Sequence, residues 1–352
     1  MSVSRTDRGT GRDMRKTQRI GVRVVPVLLA GYLALGGTAG LGHGTAAGLQ
    51  HASIVLDWYP NSDHGGLYTA IRQGFFRKAG IDMTARVPSD TSAQIRLVAA
   101  GAADFGISYE TDLLAARAHR IPVRSVMCIM QHPLDTVMTL RTSGITRPRR
   151  LAGHSVGMAG SPSDEPIVSA MMTHDGSSIG RAHMVNVGYN LLPALLSKKV
   201  DAIVGVYWTW EAIQARQRGY AVNVMRVERW GVPNYCELVL VVSERTIRTR
   251  PGFVRATVQA LQKGYRLAEA RPEIAVRSLS VADRTYSKGR NKALVLESIR
   301  LLRSVVGSAR TIGYQSPPQW RHYAGWLARN KLIDGRVDAR AAFTNQFLGQ
   351  IR

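Results

Sequence analysis

From Ser53 onward the chain alternates short apolar runs with stretches whose apolar residues recur every three or four positions. The run SIVLDW predicts a strand, GLYTAIRQGFFRKAG an amphipathic helix closed by Gly80, and IDMTARV a second strand. The next helix, TSAQIRLVAAG, has a Thr/Ser start and a Gly stop and leads into the strand ADFGIS. Such βαβα order predicts a parallel sheet with helices on both faces. After Pro122 two β-rich runs, VRSVMCIM and DTVMTLRT, lead to the punctuated segment SGITRPRRLAGHS. A second round follows, with strands SVGMA, AHMVNVG and DAIVGVY alternating with helices SDEPIVSAMMTHDG, LLPALLSKK and TWEAIQARQRG. CELVLVVS is a long apolar run with no third α/β unit behind it, so it predicts a strand returning to the first sheet. The remainder is helical, over 251–270, 290–306 and 317–329.

The pattern predicts an α/β chain of two lobes, each a mostly parallel sheet flanked by helices, with a ligand cleft between them. The first lobe is expected over 48–141 plus 236–352 and the second over 142–235, with hinge crossings near 141–146 and 231–237. A loose internal echo supports this division. RLVAAGAADFGISYE and ALLSKKVDAIVGVYW each give a helix end, a turn, an Asp, a Gly-containing strand and a Tyr at its carboxyl end. Ligands of open parallel sheets collect outside those carboxyl ends, so Tyr109 and Tyr207 are expected to face one cleft from opposite lobes.

Three stretches carry candidate chemistry. In LDWYPNSDHGGLY, Asp57 and Trp58 end a strand, Asn61 lies in a turn, and His64 approaches the next helix N-terminus. The competing reading is a solvated turn with Trp58 packed on the core. In YWTWEAI, Tyr207, Trp208 and Trp210 offer faces for stacking on a flat nitrogen-bearing ring, while Glu211 accepts hydrogen bonds from an amino group or protonated ring nitrogen. Alternatively two of those rings are core and Glu211 favours the helix N-terminus. In GSPSDEPIV, Ser161, Ser163 and Asp164 precede a helix with Pro166 in its first turn. They serve as a cap, or they point free N–H groups at the cleft for a polar or anionic ligand group. Tyr235, in the second crossing, completes the candidate ligand-binding set.

Composition changes the picture in three places. The formal charge of +23 raises the question of nucleic acid, yet the basic residues are scattered among acidic ones without a basic block interleaved with aromatics. Seven Lys/Arg and two Asp place +5 of it in the first 47 residues and leave +18 for the rest, a field that favours anionic ligands or an anionic membrane surface. The N-terminus runs from the basic RDMRKTQR through VVPVLLAGYLALGGTAG to small residues, the order of a secretory signal cleaved after Ala47, and no cysteine is placed to carry a lipid. Cys128 and Cys236 are the only cysteines; they are expected as buried free thiols, with pairing left open in an oxidising compartment.

Catalytic motifs are missing: no GxSxG elbow, Walker loop, HExxH, strand-borne GxGxxG or metal-spaced His pair occurs, so neither a metal nor a cofactor is expected. The stretches LDWYPNSDHGGLYTAIRQGFFRKAGIDM, LVAAGAADFGIS, GSPSDEPI, VDAIVGVYWTWEAI and GVPNYCELVLVVSE instead resemble the NMT1/THI5-like group of periplasmic substrate-binding proteins that serve ABC transporters, over about residues 53–285. The look is that of binding proteins for pyrimidine precursors of thiamine. This resemblance implies a type II two-lobe binding fold, a monomer that captures a formylated aminopyrimidine or a hydroxymethylpyrimidine, and delivery to a membrane permease. Trp58, Asn61, Tyr207, Trp208 and Glu211 match the pocket positions of that group. Its enzymatic branch, the pyrimidine synthase, carries a Lys and a His where this chain has Ser108 and Asp112, and a Cys-rich run where this chain has NYCELVL. Without an amine and an imidazole at those positions the synthase chemistry is not expected. Sulfonate, nitrate or flavin binding remains the alternative within the fold.

Overall fold

The computed structural model describes residues 48–308, 311–333 and 337–349; the expected signal and its cleavage point lie outside the described residues. Among the latter no helix is long and apolar enough to cross a membrane. Ten strands, β1 (Gln50–Val55), β2 (Ile81–Arg86), β3 (Phe105–Ser108), β4 (Val123–Met130), β5 (Asp135–Leu140), β6 (Ser155–Met158), β7 (His183–Asn186), β8 (Ala202–Tyr207), β9 (Val222–Arg226) and β10 (Leu238–Ser243), form two five-stranded sheets. The first has the order β2-β1-β3-β10-β4 and the second β7-β6-β8-β5-β9. In each sheet four strands run one way, and the fifth, β10 or β5, is antiparallel to both its neighbours.

The reversed strands follow from connectivity. The chain leaves β4, crosses through 131–134 and enters the second sheet as β5; it leaves β9 and returns through 227–237 as β10. A strand that enters from the cleft side must run against strands whose carboxyl ends face the cleft. The expected first-lobe segment 135–141 therefore lies largely in the second sheet, and the outward crossing falls at 131–134 rather than at 141–146. An apolar run such as DTVMTL carries no mark of which sheet it joins. β10 reads LVLVVS because it sits between β3 and β4 with helices over both faces, and five of its six residues are wholly buried.

Pairing of β10 with β4 also brings the two cysteines together. Cys128 lies on β4 and Cys236 just ahead of β10; they form a disulfide with Cα atoms 5.8 Å apart. The expectation of free thiols is thereby corrected: residues 108 positions apart in sequence are neighbours only once the return strand is placed. The bond closes the neck through which the second lobe is inserted.

The glycine pair in DHGGLY has a packing cause. The helix Gly65–Arg72 crosses the long helix Pro251–Ala270 so closely that a Cβ on Gly66 would sit 2.2 Å from the Tyr265 ring, and one on Gly264 would sit 2.2 Å from the Gly66 carbonyl oxygen. The predicted helix over 66–80 stops at Arg72, where Gln73 caps it and Gly74 turns left-handed at φ +68°. Replacing Gly66 or Gly264 by Ala is expected to cost about 1–3 kcal/mol, because neither the ring nor the backbone can withdraw; urea unfolding measures it, and an unchanged midpoint would contradict the close crossing.

Candidate functional site

The turn after β1 is built around its own side chains. Asn61 Oδ1 accepts the Asp63 N–H at 2.8 Å, and His64 Nδ1 accepts the Asn61 N–H at 3.2 Å, a reciprocal cap. With Nδ1 so engaged, the remaining ring proton belongs on Nε2, which donates to Asp57 Oδ1 at 2.9 Å. Tyr265 and Tyr286 strap the turn from outside, donating to the carbonyls of Asp63 (2.7 Å) and Pro60 (2.6 Å). His64 is wholly buried in this network and lines neither chamber. Its role is to fix Asp57.

Across the cleft, β8 ends at Tyr207 and turns into the helix Glu211–Gln217. Glu211 Oε2 accepts the Tyr207 N–H at 2.8 Å, which folds the carboxylate back over the strand end. Gly205 interrupts β8 with φ +77°, beside a register shift against β5, and aims its N–H at Asp135 Oδ1, 3.1 Å away. Asp57, Trp58, Asn61, Tyr109, Gly205, Tyr207 and Glu211 enclose one small chamber of about 10 Å³. Trp58, Tyr109, Gly205 and Tyr207 also wall a second, of about 20 Å³, completed by Ser161, Ser163, Asp164, Tyr235, Asp135, Glu237, Thr91 and Thr111. Tyr109 and Tyr207 thus meet at one gap from opposite lobes. Trp210 and Glu211 additionally line an outer groove. Trp208 is not brought to the cavity: its indole N–H points at the Pro133 carbonyl, 3.4 Å away, and the Arg226 guanidinium lies 4.2 Å over its ring. Consecutive residues after a strand face different ways, and the motif could not separate Tyr207 from its neighbour.

The GSPSDEPIV loop departs from the reading in which it offers free donors. Asp164 Oδ2 takes the N–H groups of both Gly160 and Ser161 at 2.9 Å, and Ser161 Oγ donates to Asp112 Oδ2 at 2.8 Å. Ser163 occupies the cap position but its side chain makes no cap bond. Acceptors, not N–H donors, therefore face the gap from this loop.

Glu237 escaped the sequence reading. It receives the N–H groups of Leu134 (2.8 Å) and Asp135 (3.1 Å) and the Tyr235 hydroxyl (3.0 Å), while the Tyr207 hydroxyl approaches it at 3.4 Å. Its signal was a lone charge in the apolar run CELVLVVS, the one residue there that a buried strand would not want. Asp135 had the same signal in DTVMTL.

The electrostatic result is a buried acidic gap. Asp57, Asp63, Asp112, Asp135, Asp164, Glu211 and Glu237 are each more than nine-tenths buried, and no Lys, Arg or His lines either chamber. Burial pushes Glu237 and Glu211 up to about 7, Asp164 to about 7 and Asp112 to about 6; Asp135 is raised by burial and by the facing Glu237. The hydroxyls of Tyr109, Tyr207 and Tyr235 are likewise held protonated, by burial and by nearby carboxylates. None of the chain's excess cationic side chains lies in the lining of either chamber. Among the described residues no group of side chains could hold a metal ion.

Two lobes joined by two crossings, with a small polar gap between strand ends, define the fold of solute-binding proteins. It is similar at a TM-score of 0.65 and 16% identity to the alkanesulfonate-binding protein of Xanthomonas axonopodis bound to MOPS, over 85% of this chain and 99% of that one. The family model described as NMT1/THI5 like matches residues 61–275, and the chain belongs to that family. It is 30% identical to a formylaminopyrimidine-binding protein of Halalkalibacterium halodurans over 84% of this chain and 90% of that protein. It is also 23% identical to a 4-amino-5-hydroxymethyl-2-methylpyrimidine phosphate synthase of Legionella pneumophila, over 85% and 92%.

The raised carboxyl pKa values set a pH dependence. Below about pH 4.5 Glu237 is protonated folded or unfolded; from there to about 7 the unfolded chain loses the proton and the folded chain keeps it. The folded state then binds more protons, so the ligand-free protein loses stability as pH rises through that window and levels off above it. The loss is expected to be on the order of 1–3 kcal/mol for this group, and Glu237→Gln should flatten the slope. Thermal melts between pH 5 and 8 check it, and a melting temperature that rises with pH through this window in both proteins would contradict the burial of these acids.

Proposed function

We propose that this protein captures an aminopyrimidine related to the precursors of thiamine, a formylated aminopyrimidine or a hydroxymethylpyrimidine, and delivers it to the membrane permease of an ABC importer. The observation that carries the reading is the gap itself: buried carboxylates and tyrosines from both lobes, flanked by Trp58, with no cationic side chain in its lining. A flat ring bearing an amino group supplies what these acceptors lack. Its face stacks on Trp58 or a tyrosine, and its exocyclic amine or protonated ring nitrogen donates to Glu211 and Asp57. Closing two lobes on it removes its surface from water and strengthens each charged hydrogen bond.

A sulfonate or nitrate reading meets the opposite chemistry. Burying an anion among these acids is costly, and the Gly160 and Ser161 N–H groups that would receive it are taken by Asp164. A catalytic reading lacks a nucleophile: Ser108 is buried in β3, and Asp112 is engaged with Ser161. We read the protein as a binder rather than an enzyme, acting as a monomer. The Cys128–Cys236 disulfide supports an extracytoplasmic setting, because such bonds persist in oxidising compartments.

The test is titration calorimetry with 4-amino-5-hydroxymethyl-2-methylpyrimidine and its formylaminomethyl counterpart. Glu211→Gln keeps the shape and one acceptor but loses the charge, and it should weaken binding at least about tenfold, or about 1.4 kcal/mol. An unchanged affinity would remove Glu211 from the site, and binding of a simple alkanesulfonate in preference to the pyrimidines would overturn the assignment.

A further inference from the structure

Beside the inner chambers lies a groove of about 600 Å³ bounded by both lobes. Trp58 and Glu211 line both this groove and the chamber that holds Asp57 and Asn61, so the two spaces adjoin at these side chains. A volume of that size lies in the range of about 300–1,000 Å³ that encloses whole drug-sized molecules, far more than one pyrimidine requires. Its walls are unusually aromatic. Tyr59 packs tilted at 45° against Tyr189 with 4.5 Å between centroids, Tyr189 packs tilted at 53° against Trp58 at 4.7 Å, and Trp210 meets Tyr286 edge-on at 5.9 Å. Tyr59 remains 51% exposed, a large ring kept in water at the mouth of a ligand cleft. The groove's two acids, Glu211 at its inner end and Asp283, face two arginines, Arg218 and Arg284, that stand exposed where solvent screens them.

We propose that this groove is a subsite for a second ring. The ligand class that fits is an aminopyrimidine joined by a short linker to a flat cationic heterocycle. The pyrimidine sits at the inner end of the groove against Trp58 and Glu211, and the second ring lies against Tyr59 and Tyr189, whose faces attract a cation. Glu211, at the boundary, sees both rings. The inference rests on the aminopyrimidine reading above and extends it from a one-ring to a two-ring ligand.

Thiamine, an aminopyrimidine and a thiazolium on one methylene, is the probe, titrated beside 4-amino-5-hydroxymethyl-2-methylpyrimidine. Thiamine should bind at least as tightly as the single ring. Tyr59→Ala should weaken thiamine about tenfold and the single ring less than about threefold, since only the second ring reaches that wall. Binding of the pyrimidine without thiamine overturns the subsite and leaves the proposed function standing. Binding of neither overturns both. Equal losses for the two ligands in Tyr59→Ala would make that ring a closure contact and remove it from the subsite.

Discussion

The carboxylate of Glu237 holds the architecture and the site together. It stands at the start of the returning strand and takes the first two N–H groups of the outgoing one, Leu134 and Asp135. Both crossings of the chain are thus tied by one side chain, which also lines the gap. A buried carboxylate without such partners would be prohibitively costly, and with them it becomes a fixed acceptor. The Cys128–Cys236 bond acts directly behind it. In the extended segment Tyr235, Cys236, Glu237, alternate side chains take opposite directions: the outer two meet at the Glu237 carboxylate, and the middle one anchors to β4. A crossing stapled in this way holds Tyr235 and Glu237 in place at the gap.

Net charge and local field disagree in this molecule, and the local field governs the chemistry. The chain carries a formal +23, and its Lys and Arg side chains among the described residues are exposed or half-buried, where water and salt attenuate their charge within about 10 Å. Five carboxyl groups line the two chambers, in a poorly screened interior. Burial disfavours the charged form, and neighbouring carboxylates add to it, which is why Glu211, Glu237 and Asp164 are pushed up to about 7. A ligand that brings hydrogen-bond donors or positive charge relieves that conflict, whereas an anion aggravates it.

The sequence made the alternation of strands and helices legible, along with the returning strand and the meeting of Tyr109 with Tyr207, because those follow from local periodicity and from the rule that sites form at strand ends. What it concealed depends on pairing between distant segments. DTVMTL looks the same in either sheet, so the outward crossing was placed some ten residues late. The two cysteines become partners only through the β10 and β4 register. In GSPSDEPIV the composition is that of a donor-rich loop, and only the geometry reveals that Asp164 consumes the donors. Tyr189 and Tyr286 carried no motif, and Tyr59 stood inside LDWYPNSDHGGLY without being singled out; they are ordinary loop aromatics until the lobes meet.

The closed arrangement balances two opposing contributions. Across the cleft, Thr91 donates to the Ala159 carbonyl at 2.9 Å, Tyr189 to that of Pro88 at 2.9 Å, and Arg216 pairs with Glu297. With the Ser161–Asp112 hydrogen bond these contacts range from buried to exposed, and each adds about 1 kcal/mol. Against them stands the desolvation of acids drawn from both lobes, which opening would return to water. To the extent that these contributions offset each other, a ligand shifts the population by its differential affinity for the closed form. The acidity that makes closure uncomfortable without a donor-bearing guest is therefore the same property that makes closure responsive to one.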